Sequence, residues 1–286
     1  MAPNPDPDRA DLSATFLELP PAHELTKKLL AQAVQSEPIE RYLNAVQSGM
    51  FNHPDGRTDP LEDTALQPEQ AAVLAHLCRN CKQTLSVEVG FGMGSSATVI
   101  LATRRSMGKP FTHLVFDPFG LPDKRGEVVQ SYLEEEFGPA FKRIRERSET
   151  GLGSLLAQKG RGRAGLIYID GDHRFESVMA EFVLADLLCA EGGYIMFDDA
   201  CYPGVETAIS YIRENRPDYA LAHLPVENAS VLQKTGPDTR RWDSFRPFPV
   251  PQRYDWTPAL TAADEETPPS SSVLKKWLAG LMAWKK

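Results

Sequence analysis

No stretch of this chain is apolar enough to cross a bilayer, and no charged start followed by an apolar run opens it, so the sequence reads as cytoplasmic. Positive charge is in deficit, with 31 Lys and Arg against 39 Asp and Glu and a net charge of −8. Enzymes that modify nucleic acid present a basic face, whereas the basic runs here are short (142–147 and 161–163), which argues against a nucleic-acid partner. Cysteine is scarce, at 4 in 286 residues. Cys78 and Cys81 form a C-x-x-C, but a structural zinc site wants a second close pair, and Cys189 and Cys201 stand apart. A redox pair would follow a strand, whereas this one ends a helix-like stretch from Glu69, so buried or idle thiols are expected.

Also missing is the G-x-G-x-x-G of a dinucleotide fold. The apolar run 85–89 leads instead into Glu88-Val89-Gly90-Phe91-Gly92-Met93-Gly94, a G-x-G-x-G turn with an acid two residues upstream. A carboxylate there is poorly matched to a pyrophosphate. It suits a cationic ligand, such as the amino group and sulfonium of S-adenosylmethionine, in a crevice where backbone approaches the ligand closely. A tight strand-to-helix turn without a ligand is the competing reading.

From residue 85 onward, strand-like runs (85–89, 111–116, 166–169, 193–197) alternate with helix-like stretches (95–106, 127–137, 154–159, 176–189), as βαβ units of a buried parallel sheet do. Acids sit where these strands end: Asp117 after Phe116, Asp170 after Ile169, Asp198 and Asp199 after Phe197. The carboxyl edge of an open α/β sheet is where ligands bind.

These ordered motifs resemble class I S-adenosylmethionine-dependent methyltransferases, in particular the small-molecule O-methyltransferase branch that includes sugar and catechol O-methyltransferases. The resemblance spans about residues 66–234. It rests on 87–94, on Phe116-Asp117-Pro118-Phe119, on Ile169-Asp170-Gly171-Asp172-His173 and on 192–199, with 203–219 and the last strand 231–234 in support. It implies a doubly wound, Rossmann-like α/β fold. The sheet would be mostly parallel, seven-stranded, with one antiparallel strand and order 3-2-1-4-5-7-6, and would be preceded by N-terminal helices. It also implies that Glu88, Gly90 and Gly92 line the methionine end of the cofactor, that Asp117 takes the ribose hydroxyls, that Ser148 meets the adenine, and that Phe91, Ser95 and Asp170 belong to the same site. An ionised carboxylate accepting from two vicinal hydroxyls is a strong arrangement. For Ser148 the N-cap of a helix starting near Thr150 is an equal alternative.

Asp170, Asp198 and Asp199 would stand close together and repel one another. One must be protonated, a basic side chain must intervene, or a hard cation must sit among them. Carboxylate oxygens favour Mg²⁺, Mn²⁺ or Ca²⁺ over Zn²⁺, and in the related metal-dependent enzymes these positions are the ligands, with Mg²⁺ the expected ion. Capping the following helix is the competing role. Asp199 stands where the catechol branch has asparagine, as in the sugar-methylating branch. His173, three residues after Asp170, stands where the catechol branch carries its lysine base, which makes His173 and Asp170 the catalytic candidates and Asp172 a weaker base. Beside a cation the imidazole would be neutral at pH 7 and fit to accept a hydroxyl proton.

The expected organisation is a disordered N-terminus (1–20), a helical cover (21–65) with amphipathic helices over 25–34 and 39–46 and a loop over 52–63, the methyltransferase domain (66–250), a linker (251–272) and a C-terminal amphipathic helix (273–286). The cover is placed over the cofactor or at a homodimer contact by analogy. For the terminal helix, docking on its own domain, a partner contact and a membrane surface stay open. The reaction expected is methyl transfer to a hydroxyl of a small molecule, against two rivals: a hydroxylase-like metalloenzyme on the same fold, and a non-catalytic cofactor-binding module.

Overall fold

The computed structural model describes residues 16–52, 56–61, 66–118, 125–223 and 228–250. The expected linker 251–272 and helix 273–286, and residues 1–15 of the expected disordered start, lie outside the described residues.

From residue 85 the chain alternates as its apolar pattern requires: β4 (Leu85–Val89), α4 (Ser95–Ser106), β5 (Thr112–Phe116), α5 (Arg125–Phe137), β6 (Phe141–Ile144), α6 (Ser148–Lys159), β7 (Ala164–Ile169), α7 (Phe175–Leu188), β8 (Cys189–Asp198), α8 (Pro203–Asn215), β9 (Tyr219–His223) and β10 (Ala229–Lys234). Before it come β1 (Phe16–Glu18), α1 (Ala22–Ala33), α2 (Glu37–Ser48), the hairpin β2 (Met50–Asn52) and β3 (Thr58–Pro60), and α3 (Pro68–Asn80). The main sheet runs β1-β9-β10-β8-β7-β4-β5-β6. Without β1 this is the expected 3-2-1-4-5-7-6, with β10 antiparallel to both neighbours and the other pairs parallel.

Two expectations are corrected. Phe16–Glu18, inside the stretch expected to be disordered, adds an eighth strand parallel to β9, with Leu17 opposite Ala222. An edge strand with unpaired N–H and C=O groups accepts any short extended segment, which composition does not reveal. The expected loop over 52–63 includes the second strand of a two-stranded hairpin, Thr58–Pro60, with Pro60 facing Met50.

Side chains alternate across the sheet with period two. Ile167, Ile169, Ile195 and Phe197 pack under α6, α7 and α8. Leu166, Tyr168, Tyr194 and Met196 face the opposite layer, where α1, α2 and α3 share one core with α4 through Leu25, Leu29, Ile39, Tyr42 and Leu74. Helix α4 is buried from Ser95 through Arg104, consistent with its place between sheet and outer helices. Among the described residues no helix is long and apolar enough to cross a membrane.

Candidate active site at the carboxyl edge of the sheet

The turn after β4 is built from three glycines in the left-handed region. Gly90 has φ +86°, and a Cβ there would lie 1.9 Å from the Asp170 carbonyl oxygen. Its neighbours are fixed: Gly90 N–H donates to Phe116 O at 3.0 Å and Asp170 N–H to Val89 O at 2.9 Å. Only glycine lets the ends of β4 and β7 meet this closely. At Gly92 (φ +49°) the missing Cβ faces open space instead.

Glu88 is fully buried. Ser96 Oγ donates to its Oε1 at 2.7 Å, and His113 Nε2 lies 3.0 Å from its Oε2, with Ser86 Oγ 3.0 Å from His113 Nδ1. The acid ties the glycine turn to the first turn of α4, and both its oxygens are engaged within the protein. Strand alternation sends it to the α4 face rather than out of the strand end. Phe91 likewise turns its ring into the core against Phe141, while its N–H donates to Asp117 Oδ2 at 3.1 Å. Ser95 opens α4 behind Gly94. Asp117, at the end of β5, also has Arg143 Nη2 at 3.1 Å from the same Oδ2. Arg143 stacks its guanidinium over the Phe91 ring at 4.7 Å. This buried arginine lies in a run that reads in sequence only as scattered surface charge.

Ser148 sits in the first turn of α6, whose N-cap is Arg147, so it is not the cap. Its hydroxyl donates to Glu181 Oε1 at 2.6 Å. Glu181 is 2% exposed, and its Oε2 has no hydrogen-bond partner among the described residues. Burial pushes this carboxyl up to about 7, with Asp172 and Glu149 adding to the rise and Ser148 opposing it. The unfolded group titrates near 4.5, so the folded state holds an extra proton between the two values. Its contribution is fully present below pH 4.5 and lost as pH rises through 7. Glu181→Gln is therefore expected to remove roughly 3 kcal/mol of the decline in stability between pH 5 and 8. Chemical denaturation at both pH values reads this out, and an unchanged pH slope would refute it.

The acids after β7 and β8 do not assemble as the sequence suggests. Asp170, His173 and Asp199 bring one ligand atom each within 4.8 Å of one another, and Asp198 is not among them. Asp198 continues the side-chain alternation of Tyr194 and Met196 and so faces α3. Its Oδ2 accepts from Tyr168 Oη at 2.6 Å, and its Oδ1 from Gln70 Nε2 at 2.8 Å and Asp199 N–H at 2.9 Å. The Gln70 amide is oriented by accepting from Gln67 N–H at 3.0 Å, in the capping box of α3. The group the structure brings together thus contains His173 and not Asp198.

Asp199 has φ +50°, a left-handed conformation that Asp tolerates better than most side chains. Asn228, at φ +62°, donates from Nδ2 to Asp199 Oδ1 at 2.7 Å. The other oxygen, Oδ2, is thereby held 3.3 Å from His173 Nε2, and Asp170 Oδ1 lies 3.6 Å from the same nitrogen. The imidazole stacks on Tyr202, with centroids 4.8 Å apart. Asp170 keeps 37% of its side-chain surface open, yet withdrawal from bulk water and the Asp198 and Asp199 charges push its carboxyl up to about 7 against the pull of His173. For His173, burial works downward, but the Asp170 and Asp199 carboxylates outweigh it and the net direction is up. A basic side chain thus stands between two of the repelling acids. Asp172 is turned away to Arg174 and Ser177, which hold its carboxyl below the ordinary range. Gln70, Tyr168, Arg143, Glu181 and Asn228 carried no sequence signal, because each acts through a partner distant in the chain.

Comparison with known proteins points to the same segment. Residues 87–200 match the model of a family described as a methyltransferase domain. No curated protein matches the sequence. Among solved structures, the chain is similar to the O-methyltransferase NovP at 13% identity and a TM-score of 0.53, covering 74% of this chain and 100% of that one. It is also similar to the O-methyltransferase TomG from Streptomyces achromogenes, solved in complex with SAM, at 16% identity and a TM-score of 0.50, covering 61% of this chain and 83% of that one. At these identities the likeness is one of fold.

Proposed function

We propose that this chain, whose residues 87–200 match a methyltransferase domain, is a class I methyltransferase that transfers the methyl group of S-adenosylmethionine to a hydroxyl of a small molecule with a divalent cation assisting. The observation that carries the reading is the meeting of Asp117 and the open Gly92 backbone at one end of the carboxyl edge with Asp170, His173 and Asp199 at the other. NovP and TomG, both named as O-methyltransferases, support a hydroxyl acceptor. A cytoplasmic location belongs to the same reading.

The residues fit the cofactor. Gly92 leaves space that a Cβ would fill, and Asp117 offers a carboxylate for the ribose diol, its charge balanced by Arg143. Ser148 marks the adenine end, while Glu88 acts behind the turn by holding its shape. S-adenosylmethionine supplies an electrophilic methyl group on a sulfonium sulfur. What the protein adds is alignment of the acceptor oxygen with that carbon and removal of the acceptor proton.

The donor set also fits a divalent cation, because His173 Nε2 is a buried nitrogen held 3.3 and 3.6 Å from two carboxylate oxygens, with no other partner among the described residues. One imidazole and two carboxylates suit Mn²⁺ or Fe²⁺ as well as Mg²⁺. A cation held there lowers the pKa of a coordinated hydroxyl. A second reading has its own support: the two carboxylates orient His173 and raise its basicity, so that it takes the acceptor proton directly. The hydroxylase-like rival would want a second histidine, and among the described residues His173 alone joins the acids. A non-catalytic module has no use for strain at Asp199 and a self-repelling cluster.

Calorimetric titration of Mn²⁺ separates these readings. With the cation bound as proposed, Asp199→Ala and His173→Ala weaken binding at least about 10-fold, whereas Asp198→Asn, outside the donor set, changes it by less than about 3-fold. Loss on Asp198→Asn with retention in His173→Ala would restore the three-aspartate set. No Mn²⁺ binding by the wild type would leave His173 as a metal-free base.

A further inference from the structure

At the amino ends of β4 and β5, on the far side of the sheet from the candidate active site, the chain forms a cleft of about 220 Å³. Arg79, Lys82, Arg104 and Lys109 line it, together with Cys81 and Thr84, and no carboxylate contributes to the wall. That is unexpected in a chain with net charge −8. None of the four cations forms an ion pair with an acid among the described residues. The adjacent Arg105, by contrast, pairs with Glu136 at 2.6 Å.

Arg104 is the decisive member. It is 3% exposed, its Nε has no hydrogen-bond partner among the described residues, and its guanidinium meets only thiols, Nη2 donating to the Cys81 sulfur at 2.9 Å with Cys78 as the second. Cys81 does not neutralise it: burial holds the thiol above its ordinary pKa despite the arginine. Arg79 reaches Gln32 of α1 through Nη2 and is otherwise directed at the cleft. Lys82 and Lys109 stand exposed at the rim.

The plain alternative is that these side chains only complement the carboxyl ends of α3 and α4, where Arg79 and Arg104 occupy the last turns. The magnitudes decide against it. A helix end stabilises a cation only weakly, whereas withdrawing a guanidinium from water costs far more unless its N–H groups find acceptors. Lysines exposed at the rim gain nothing from burial and add to the repulsion.

We propose that this cleft binds a diphosphate-bearing small molecule, with Arg104 and Arg79 taking the oxyanion from the floor and Lys82 and Lys109 closing on it from the rim. Planar guanidinium forks match phosphate oxygens in pairs, and flexible ammonium groups complete the charge. At about 220 Å³ the cleft is larger than a single phosphate needs. The site is separate from the methyl-transfer site and does not depend on that assignment.

Calorimetric titration of inorganic pyrophosphate and of a nucleoside diphosphate into the full chain tests this, with sodium chloride at matched ionic strength as control. Arg104→Met tests the floor. The exposed double variant Lys82→Ser/Lys109→Ser keeps the test open should Arg104→Met fail to fold. The expected result is saturable one-to-one binding to the wild type and at least about 10-fold weaker binding to the lysine variant, with S-adenosylmethionine binding unchanged. Tighter binding of one titrant identifies the source of the diphosphate. Equal affinities in wild type and lysine variant, or heats that sodium chloride reproduces, would overturn the site.

Discussion

Gly90→Ala is expected to abolish S-adenosylmethionine binding and to destabilise the fold by at least about 3 kcal/mol, the sum of an unfavourable positive φ and a contact no rotamer relieves. The added Cβ would meet the Asp170 carbonyl oxygen at 1.9 Å and its carbon at 2.8 Å, both backbone atoms. Moving either strand end away would stretch the bonds from Gly90 N–H to Phe116 O and from Asp170 N–H to Val89 O. Those bonds set the spacing between the cofactor turn and the Asp170 loop, so the damage reaches both halves of the site. Gly92→Ala is the control. Its Cβ meets no protein atom within 4 Å, so the fold should hold, with a loss of about 1–2 kcal/mol from the positive φ, and the weakening should fall on ligand binding. Thermal melts and calorimetry on the two variants distinguish these outcomes. Equal stability in both would mean that the close approach at Gly90 is not a constraint.

The second large effect lies at the opposite edge. Arg216, 4% exposed in its side chain, places Nη2 2.8 Å from Asp186 Oδ1 and 2.6 Å from Asp218 Oδ2, while Nε donates to Asp218 Oδ1 at 2.9 Å. It lies over the rings of Phe182 and Tyr219, both at 5.1 Å, and Lys234 Nζ shares Asp186 Oδ1 at 2.9 Å. This clasp joins the end of α7, the exit of α8, the start of β9 and the end of β10. Arg216→Met keeps the stem's packing but leaves two carboxylates short of a partner, and should cost about 3–5 kcal/mol. Lys234 continues to hold Asp186, so most of the loss traces to Asp218. Adding Asp218→Asn to Arg216→Met should therefore recover more than half. Because Lys234 lies at the end of β10 remote from Asp198, S-adenosylmethionine affinity of the folded variant should not change. Urea unfolding measures the first effect and calorimetry the second. A loss below about 1 kcal/mol would mean the clasp is no stronger than a surface pair.

The strand order could be read from the sequence because a parallel sheet buried on both faces writes itself as apolar runs, and its ligand edge as polar residues straight after them. Asp117, Asp170 and Asp199 could be located that way. Which acids converge could not, since this depends on side-chain parity and on one positive φ. Asp198 obeys the alternation and turns to Gln70 and Tyr168, while Asp199 breaks it under the hold of Asn228. The sequence pattern puts Glu88 on strand β4, but its burial against His113 and Ser96 follows from the packing of β5 and α4. Helix α6 begins at Ser148 rather than near 154 because Gly151 and Gly153 hide its amphipathic pattern. The eighth strand and the hairpin are three-residue pairings, too short to leave a period.

The proposed activity stands or falls with S-adenosylmethionine binding at the carboxyl edge of this sheet, with Asp117 on its ribose. Calorimetric titration of S-adenosylmethionine into the wild type and into Asp117→Asn tests it most directly. The amide keeps the side chain's shape and an acceptor for Phe91 N–H but loses the ionised oxygens that a diol needs. Saturable one-to-one binding to the wild type is expected, with affinity lower by about 10–100-fold in the variant, the worth of charge-assisted hydrogen bonds to a carboxylate, and with both proteins folded. No binding to the wild type, or equal binding to both, would contradict it.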